Sequence, residues 1–131
     1  MSRERDLHME KYYSKTHEWV RVDGDDAVVG ISRFAAKELG DITYVETPRE
    51  GSDVIVGDVV GSLETVNATS EVYSPVSGTV IAVNHNLDDD PGLASRSPEG
   101  RGWLYRLENI DLAELDDLMD EEDYQDYLNT L

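Results

Sequence analysis

Apolar and polar residues alternate with a period of two through most of this chain. Gly, Pro, Asn or Asp interrupts the alternation every few residues. Residues 12–22 are rich in aromatic and β-branched side chains and read as strand. Asp23-Gly24-Asp25-Asp26 marks a turn, and Ala27-Val28-Val29-Gly30-Ile31 the returning strand. The period then changes. Phe34, Ala35, Ala36 and Leu39 share a helical spacing, Ser32 is a good N-cap and Gly40 a left-handed stop, so one short helix is predicted over 32–39. Residues 42–46 form a strand closed by Pro48, and Gly51 and Gly57-Asp58 bracket a further apolar run at Val54-Ile55-Val56.

From Val59 the alternation resumes to Val66, turns near Asn67 and returns over 72–76. Ser77-Gly78 then leads into another strand over 79–83. Asp88-Asp89-Asp90-Pro91 reads as a helix start with Asp90 as cap. Residues 102–107 are the last strand. Asp111 followed by Glu114 resembles a capping box, ahead of an apolar face made by Leu112, Leu115, Leu118 and Met119. A second helix from Asp120 would bury Tyr124, Tyr127 and Leu128, with residues 120–123 placing acids at its positive end. Many short strands with frequent turns indicate a mostly β barrel or sandwich with a few helices. Residues 57–63 and 77–83 are loosely alike, each a valine-rich strand after a turn, which allows an internal twofold repeat. Residues 1–10 are polar and are expected to be a flexible N-terminus, with one domain over 11–131.

Composition narrows the possible partners. The 131 residues carry a formal net charge of −18, with 29 acids against 11 Lys and Arg. Neither nucleic-acid phosphates nor an anionic membrane surface suits such a chain. Only Lys11, Lys15 and Lys37 are lysines, and an acid-rich, lysine-poor composition fits a salt-rich cytoplasm or simply an acidic protein. Without Cys there is no disulfide, thiolate metal site or thiol nucleophile. Neither a secretory signal nor an apolar run of spanning length is read, so the expected location is the cytoplasm. His17, His8 and His85 do not form a paired metal or catalytic motif, and His17 reads as a hydrogen-bonded structural residue. The acids at 88–90 lack calcium-loop spacing. Nothing argues for an enzyme. Asn67-Ala68-Thr69 matches a glycosylation triplet that is common by chance.

One stretch carries specific chemistry. Residues 61–78, Gly-Ser-Leu-Glu-Thr-Val-Asn-Ala-Thr-Ser-Glu-Val-Tyr-Ser-Pro-Val-Ser-Gly, resemble the attachment hairpin of a lipoyl-carrier domain, with Asn67 where that family has its acceptor lysine. The resemblance extends over residues 12–128. Thr16-His17-Glu18-Trp19-Val20, Val29-Gly30-Ile31, Leu39-Gly40-Asp41-Ile42, the hairpin, residues 84–91 and Gly100-Arg101-Gly102-Trp103-Leu104 are similar, in order, to the H protein of the glycine cleavage system.

This resemblance implies a barrel-sandwich hybrid of two small antiparallel sheets with flanking helices. It implies a non-catalytic carrier whose lipoyl arm takes an aminomethyl group from a pyridoxal-dependent glycine decarboxylase. The arm hands that group to a folate-dependent aminomethyltransferase and is reoxidised by lipoamide dehydrogenase, a lipoate ligase having loaded it. The implied site is Asn67 at the acceptor position, with Glu64, Val66, Ala68, Ser70, Glu71 and Tyr73 as hairpin and docking residues.

Two positions depart from the family: Asn67, and the 98–102 loop, where Glu99 replaces a usual aromatic and Arg101 a frequent acid. A lysine amine can attack an activated acyl group. The carboxamide nitrogen of Asn67 cannot, because its lone pair is delocalised. None of the three lysines lies in a comparable hairpin. The chain is therefore expected to carry no lipoate and to serve as a docking or regulatory paralogue. Alternatively it is an ordinary carrier whose lysine has been replaced. A biotin carrier ranks lower, because Val66 and Ala68 stand where such hairpins usually have methionines. Asn is also expected to suit the turn through its tolerance of left-handed backbone angles.

Overall fold

The computed structural model describes residues 11–131. The expected flexible segment 1–10 lies outside them. The strands are β1 (Lys11–Tyr13), β2 (Glu18–Asp23), β3 (Asp26–Ile31), β4 (Tyr44–Glu46), β5 (Asp53–Val54), β6 (Val59–Glu64), β7 (Thr69–Tyr73), β8 (Gly78–Val83) and β9 (Tyr105–Glu108). The helices are α1 (Arg33–Leu39), α2 (Asn86–Asp89), α3 (Leu93–Arg96) and α4 (Glu121–Leu128), with a 3-10 helix over Leu112–Asp117. One sheet has six strands in the order β1-β2-β3-β9-β8-β5, and the other has three in the order β4-β6-β7. All pairings between these strands are antiparallel. This is the mostly β architecture that the alternation predicts, and the helices occur where periodicity changes.

The register explains the core. Val20 faces Val29, Val22 faces Ala27, and Ala27 also faces Leu107, so these side chains share one surface of the large sheet. Leu63 and Val72 of the small sheet join them in one buried cluster with Val76, Val80 and Tyr105. The other surface of the large sheet carries Trp19 and Val28, packed with Tyr13 and Tyr124 from under α4. Gly30 lies opposite Trp19, and a Cβ there would sit 2.8 Å from the indole ring, so only glycine admits that packing. The two segments read as a loose repeat fall in different sheets, β6 in the small one and β8 in the large one.

Several local expectations are corrected. Residues 12–22 are two strands, because the chain reverses at His17, whose φ is 75°. The 54–56 run is strand only through Val54. The Asp58 carboxylate accepts the Ile55 N–H at 3.1 Å and closes a turn that leaves Ile55 and Val56 exposed. Strand β7 ends at Tyr73, and β9 covers Tyr105–Glu108 rather than 102–107. Asp90 ends α2 instead of capping a new helix, and its carboxylate takes an N–H from Arg96 at 2.5 Å. Asp111 does cap, accepting from Ala113 N at 3.0 Å, but Glu114 makes no capping box. It reaches across to the N–H and hydroxyl of Ser77, at 2.7 and 2.8 Å. Leu112 is exposed rather than part of an apolar face. Gly40 (φ 81°) and Ser32, whose hydroxyl accepts from Ala35 N, end and begin α1 as expected.

Candidate functional site

Strands β6 and β7 form a hairpin whose four-residue connection, 65–68, projects from the small sheet. Thr65 organises it. Its backbone N–H donates to Ala68 O at 2.9 Å, and its hydroxyl accepts from the N–H groups of Asn67 (3.2 Å) and Ala68 (3.1 Å) while donating to Ala68 O (3.3 Å). One side chain thus holds the backbone on which Asn67 stands. Val66, Asn67 and Ala68 are exposed, Val66 at 84%. Among the described residues, only His17 and Asn109 combine a side chain with positive φ. Asn67 therefore makes no use of the left-handed angles that its identity suggested, and this turn asks for no special residue at its tip.

The pleat sorts the hairpin into two faces. Leu63 and Val72 point into the core, and Ser70, paired with Leu63, is half-buried on that face. The outer face is built in rows. Tyr44, Glu64 and Thr69 lie in register, and Glu46, Ser62 and Glu71 lie beside them. Ser62 donates to Glu46 at 3.3 Å, and the Tyr73 hydroxyl donates to Glu71 at 3.0 Å. That bond raises the Tyr73 phenol above its ordinary range, chiefly because its carboxylate partner favours the protonated form. Glu46, Glu64 and Glu71 make the face acidic, and Tyr44 (52% exposed) supplies an aromatic contact beside them.

The hairpin is fastened from behind. Gly61 lies at an irregularity in the β6–β7 pairing, and a Cβ there would come within 2.1 Å of the Glu46 carbonyl oxygen, so β4 and β6 approach only because this residue is glycine. Glu18 of β2 is 2% exposed. Its carboxylate accepts from Tyr73 N at 3.1 Å, from Ser14 at 2.7 Å and from the Thr16 hydroxyl. Burial pushes its pKa up, and these bonds oppose the shift. Ser74, just beyond β7, accepts from the Tyr105 hydroxyl at 3.0 Å and donates to Val76 O at 2.8 Å. Glu18, Tyr105 and Ser74 therefore tie the hairpin strand to the large sheet.

Residues 11–131 of this chain match the family model "Glycine cleavage H-protein". This chain belongs to that family. It is 47% identical over 117 residues to the glycine cleavage system H protein of Thermotoga maritima, covering 89% of this chain and 94% of the relative. It is 48% identical over 116 residues to the probable glycine cleavage system H protein of Haloarcula marismortui, covering 88% and 91%. The crystal structure of a glycine cleavage system H protein from Mycobacterium marinum superposes with a TM-score of 0.81 at 29% identity, over 92% of this chain and 97% of that one. The barrel-sandwich fold expected from the resemblance is thus the fold of the family. Proteins of this family are lipoyl carriers in glycine cleavage and are not catalysts.

A lipoyl amide requires a primary amine, and the tip offers the carboxamide of Asn67, so the residues present do not fit the attached cofactor. Lys11 belongs to β1, where its ammonium donates to Glu99 O at 2.7 Å. Lys15 follows β1 and Lys37 lies in α1. Glu99 accepts from the Tyr13 hydroxyl and from Arg33 N, each at 2.8 Å, and so clamps the 98–102 loop to β1 and α1. His17 has the structural role expected of it. Its Nδ1 lies 2.7 Å from the Tyr124 hydroxyl, and burial lowers its pKa. Among the described residues, no group of three His, Asp or Glu could hold a metal ion, and no helix is long and apolar enough to cross a membrane.

Sequence reasoning named Asn67, Glu64, Val66, Ala68, Ser70, Glu71 and Tyr73, and all of them fall on the hairpin. It gave no role to Thr65, Glu46 or Glu18. An acidic residue directly ahead of Trp19 and Val20 was the available signal for Glu18. Glu46 needed the β4–β6 register, which sequence does not display.

Proposed function

We propose that this chain is a non-lipoylated member of the H-protein family, which docks on the family's partner enzymes without carrying an aminomethyl group. The observation that carries the reading is the pairing of an intact, internally bonded hairpin with Asn67 at its exposed tip. Glu64 and Glu71 on the outer face, with Tyr73 bonded to Glu71, supply an acidic docking surface for glycine decarboxylase, aminomethyltransferase, lipoamide dehydrogenase and lipoate ligase. Such a protein competes with a loaded carrier or regulates its use. Its acidic, lysine-poor composition supports a place in the cytoplasm.

Intact-mass measurement after co-expression with a lipoate ligase tests the first half of this reading. An unmodified mass is expected, and a lipoyl adduct on any residue defeats it. Competition with a lipoylated H protein in glycine–bicarbonate exchange tests the second half. Inhibition is expected, and no effect at large excess removes the docking role.

A second reading rests on the backbone of the tip. Because Asn67 has no positive φ, a lysine fits there without strain, as in an ordinary carrier that has lost its acceptor. That reading predicts that Asn67→Lys restores both lipoylation and exchange activity. A variant refused by every ligase would exclude it.

A further inference from the structure

A cavity of about 260 Å³ lies between α1 and α4. Arg33, Phe34 and Lys37 line it from α1, and Glu121, Tyr124, Gln125 and Leu128 from α4. Tyr13 and Glu99 complete the wall. Arg33 and Lys37 are one helical turn apart, so both reach the same space. Neither forms an ion pair with a described carboxylate.

The position of these two cations is informative on a chain of net charge −18. The Glu99 carboxylate is already satisfied by Tyr13 and Arg33 N, with the Lys11 ammonium 3.5 Å away. Arg33 and Lys37 line the cavity against Glu99 and Glu121, and Lys11, outside the lining, pairs with Glu99, which leaves Arg33 and Lys37 facing Glu121 on a chain that is strongly negative elsewhere. A second hollow makes the contrast: there Arg49 alone faces Glu46, Asp53 and Asp58. The exposed Gln125 amide adds an uncharged donor to the α1–α4 cavity, and Phe34, Leu128 and the stacked rings of Tyr13 and Tyr124 give it an apolar wall.

We propose that this cavity binds a small organic carboxylate with an apolar body. The carboxylate lies at Arg33, Lys37 and Gln125, and the hydrocarbon lies against Phe34 and Leu128. The size suits a ligand of about ten non-hydrogen atoms, below the usual range of drug-sized pockets. Glu121 opposes the anion, which keeps the affinity modest and gives the test its sign. The site is separate from the hairpin and independent of whether lipoate is attached there.

The test is a two-dimensional NMR titration of the full chain at low ionic strength with 3-phenylpropionate, beside its neutral amide. Saturable shifts are expected around Arg33, Phe34, Lys37, Gln125 and Leu128. A dissociation constant of about 1 mM is expected, with the amide about five-fold weaker. Arg33→Gln with Lys37→Gln, at two exposed positions, is expected to weaken the carboxylate by about five-fold, and Glu121→Gln to tighten it by about two-fold. Equal binding of the amide, shifts that never saturate or indifference to the double variant would overturn the proposal. Phenylalanine binding more tightly than phenylpropionate, with Glu121→Gln weakening it, would assign the cavity to zwitterions instead.

Discussion

The Glu18 carboxylate, buried in the second strand of the large sheet, accepts the backbone N–H of Tyr73 at 3.1 Å and so fixes the hairpin strand to the opposite sheet. The bond joins residues 55 positions apart. It places a carboxyl out of reach of water, and burial accordingly raises its pKa above its ordinary 4.5, against the pull of the Thr16, Ser14 and Tyr73 bonds.

That shift has a sign. A carboxyl whose folded pKa is raised binds more protons in the native than in the unfolded state, so it subtracts stability as pH rises above about 4.5, through the raised pKa. Glu18→Gln keeps the shape and removes the charge. Its Oε1 can still accept from Tyr73, while its amide donates to Ser14 or Thr16. The stability difference between the parent chain and this variant is expected to move in the variant's favour as pH rises through that window. Glu18→Ala, which strands the Tyr73 N–H, is expected to cost about 1–3 kcal/mol. Urea titrations of all three proteins at several pH values check this. A difference that does not change with pH would show that the buried carboxyl does not titrate differently on folding.

Gly61→Ala is expected to destabilise by about 2 kcal/mol or more, because the new methyl group meets the Glu46 carbonyl rather than a movable side chain. The loss should appear as weakened protection of β4 amides in hydrogen exchange. Stability within error of the parent chain would mean that β4 moves aside without cost.

Thr65→Val removes the hydroxyl that accepts two turn N–H groups and is expected to cost about 1 kcal/mol. Asn67→Lys, at an exposed position without backbone strain, should shift stability by no more than about 0.5 kcal/mol. Combined, the two changes are expected to give a chain that a lipoate ligase modifies more slowly than Asn67→Lys alone, measured by intact mass over time. Equal rates would show that the ligase reads the flanking strands rather than the turn.

With a net charge of −18, the native chain repels itself, and added salt should stabilise it. The thermal midpoint is expected to rise by several degrees between about 0.1 and 1 M KCl, a range over which the screening length falls from about 10 to 3 Å. A midpoint that stays flat or falls would mean that the acids are spread widely enough for self-repulsion to be small.

Much of the molecule was legible in its sequence because the signals are local. Alternation with period two, the Ser32 cap and the Gly40 stop located the first hairpin strand and α1, since each depends on residues within a turn or two of one another, while the returning strand was read three residues late. The carboxamide of Asn67 is likewise a fact of covalent chemistry that no folding can alter. Local signals misled where a distant partner won. Glu114 gave up a capping box for Ser77, and Leu112 is exposed where burial was expected. Only the tertiary structure placed Glu18 beneath Tyr73, set Glu46 in a row with Ser62 and Glu71, and brought Arg33 and Lys37 to face α4 across one cavity. Those relations rest on strand register and sheet packing, which are fixed by the whole core rather than by neighbours in the chain.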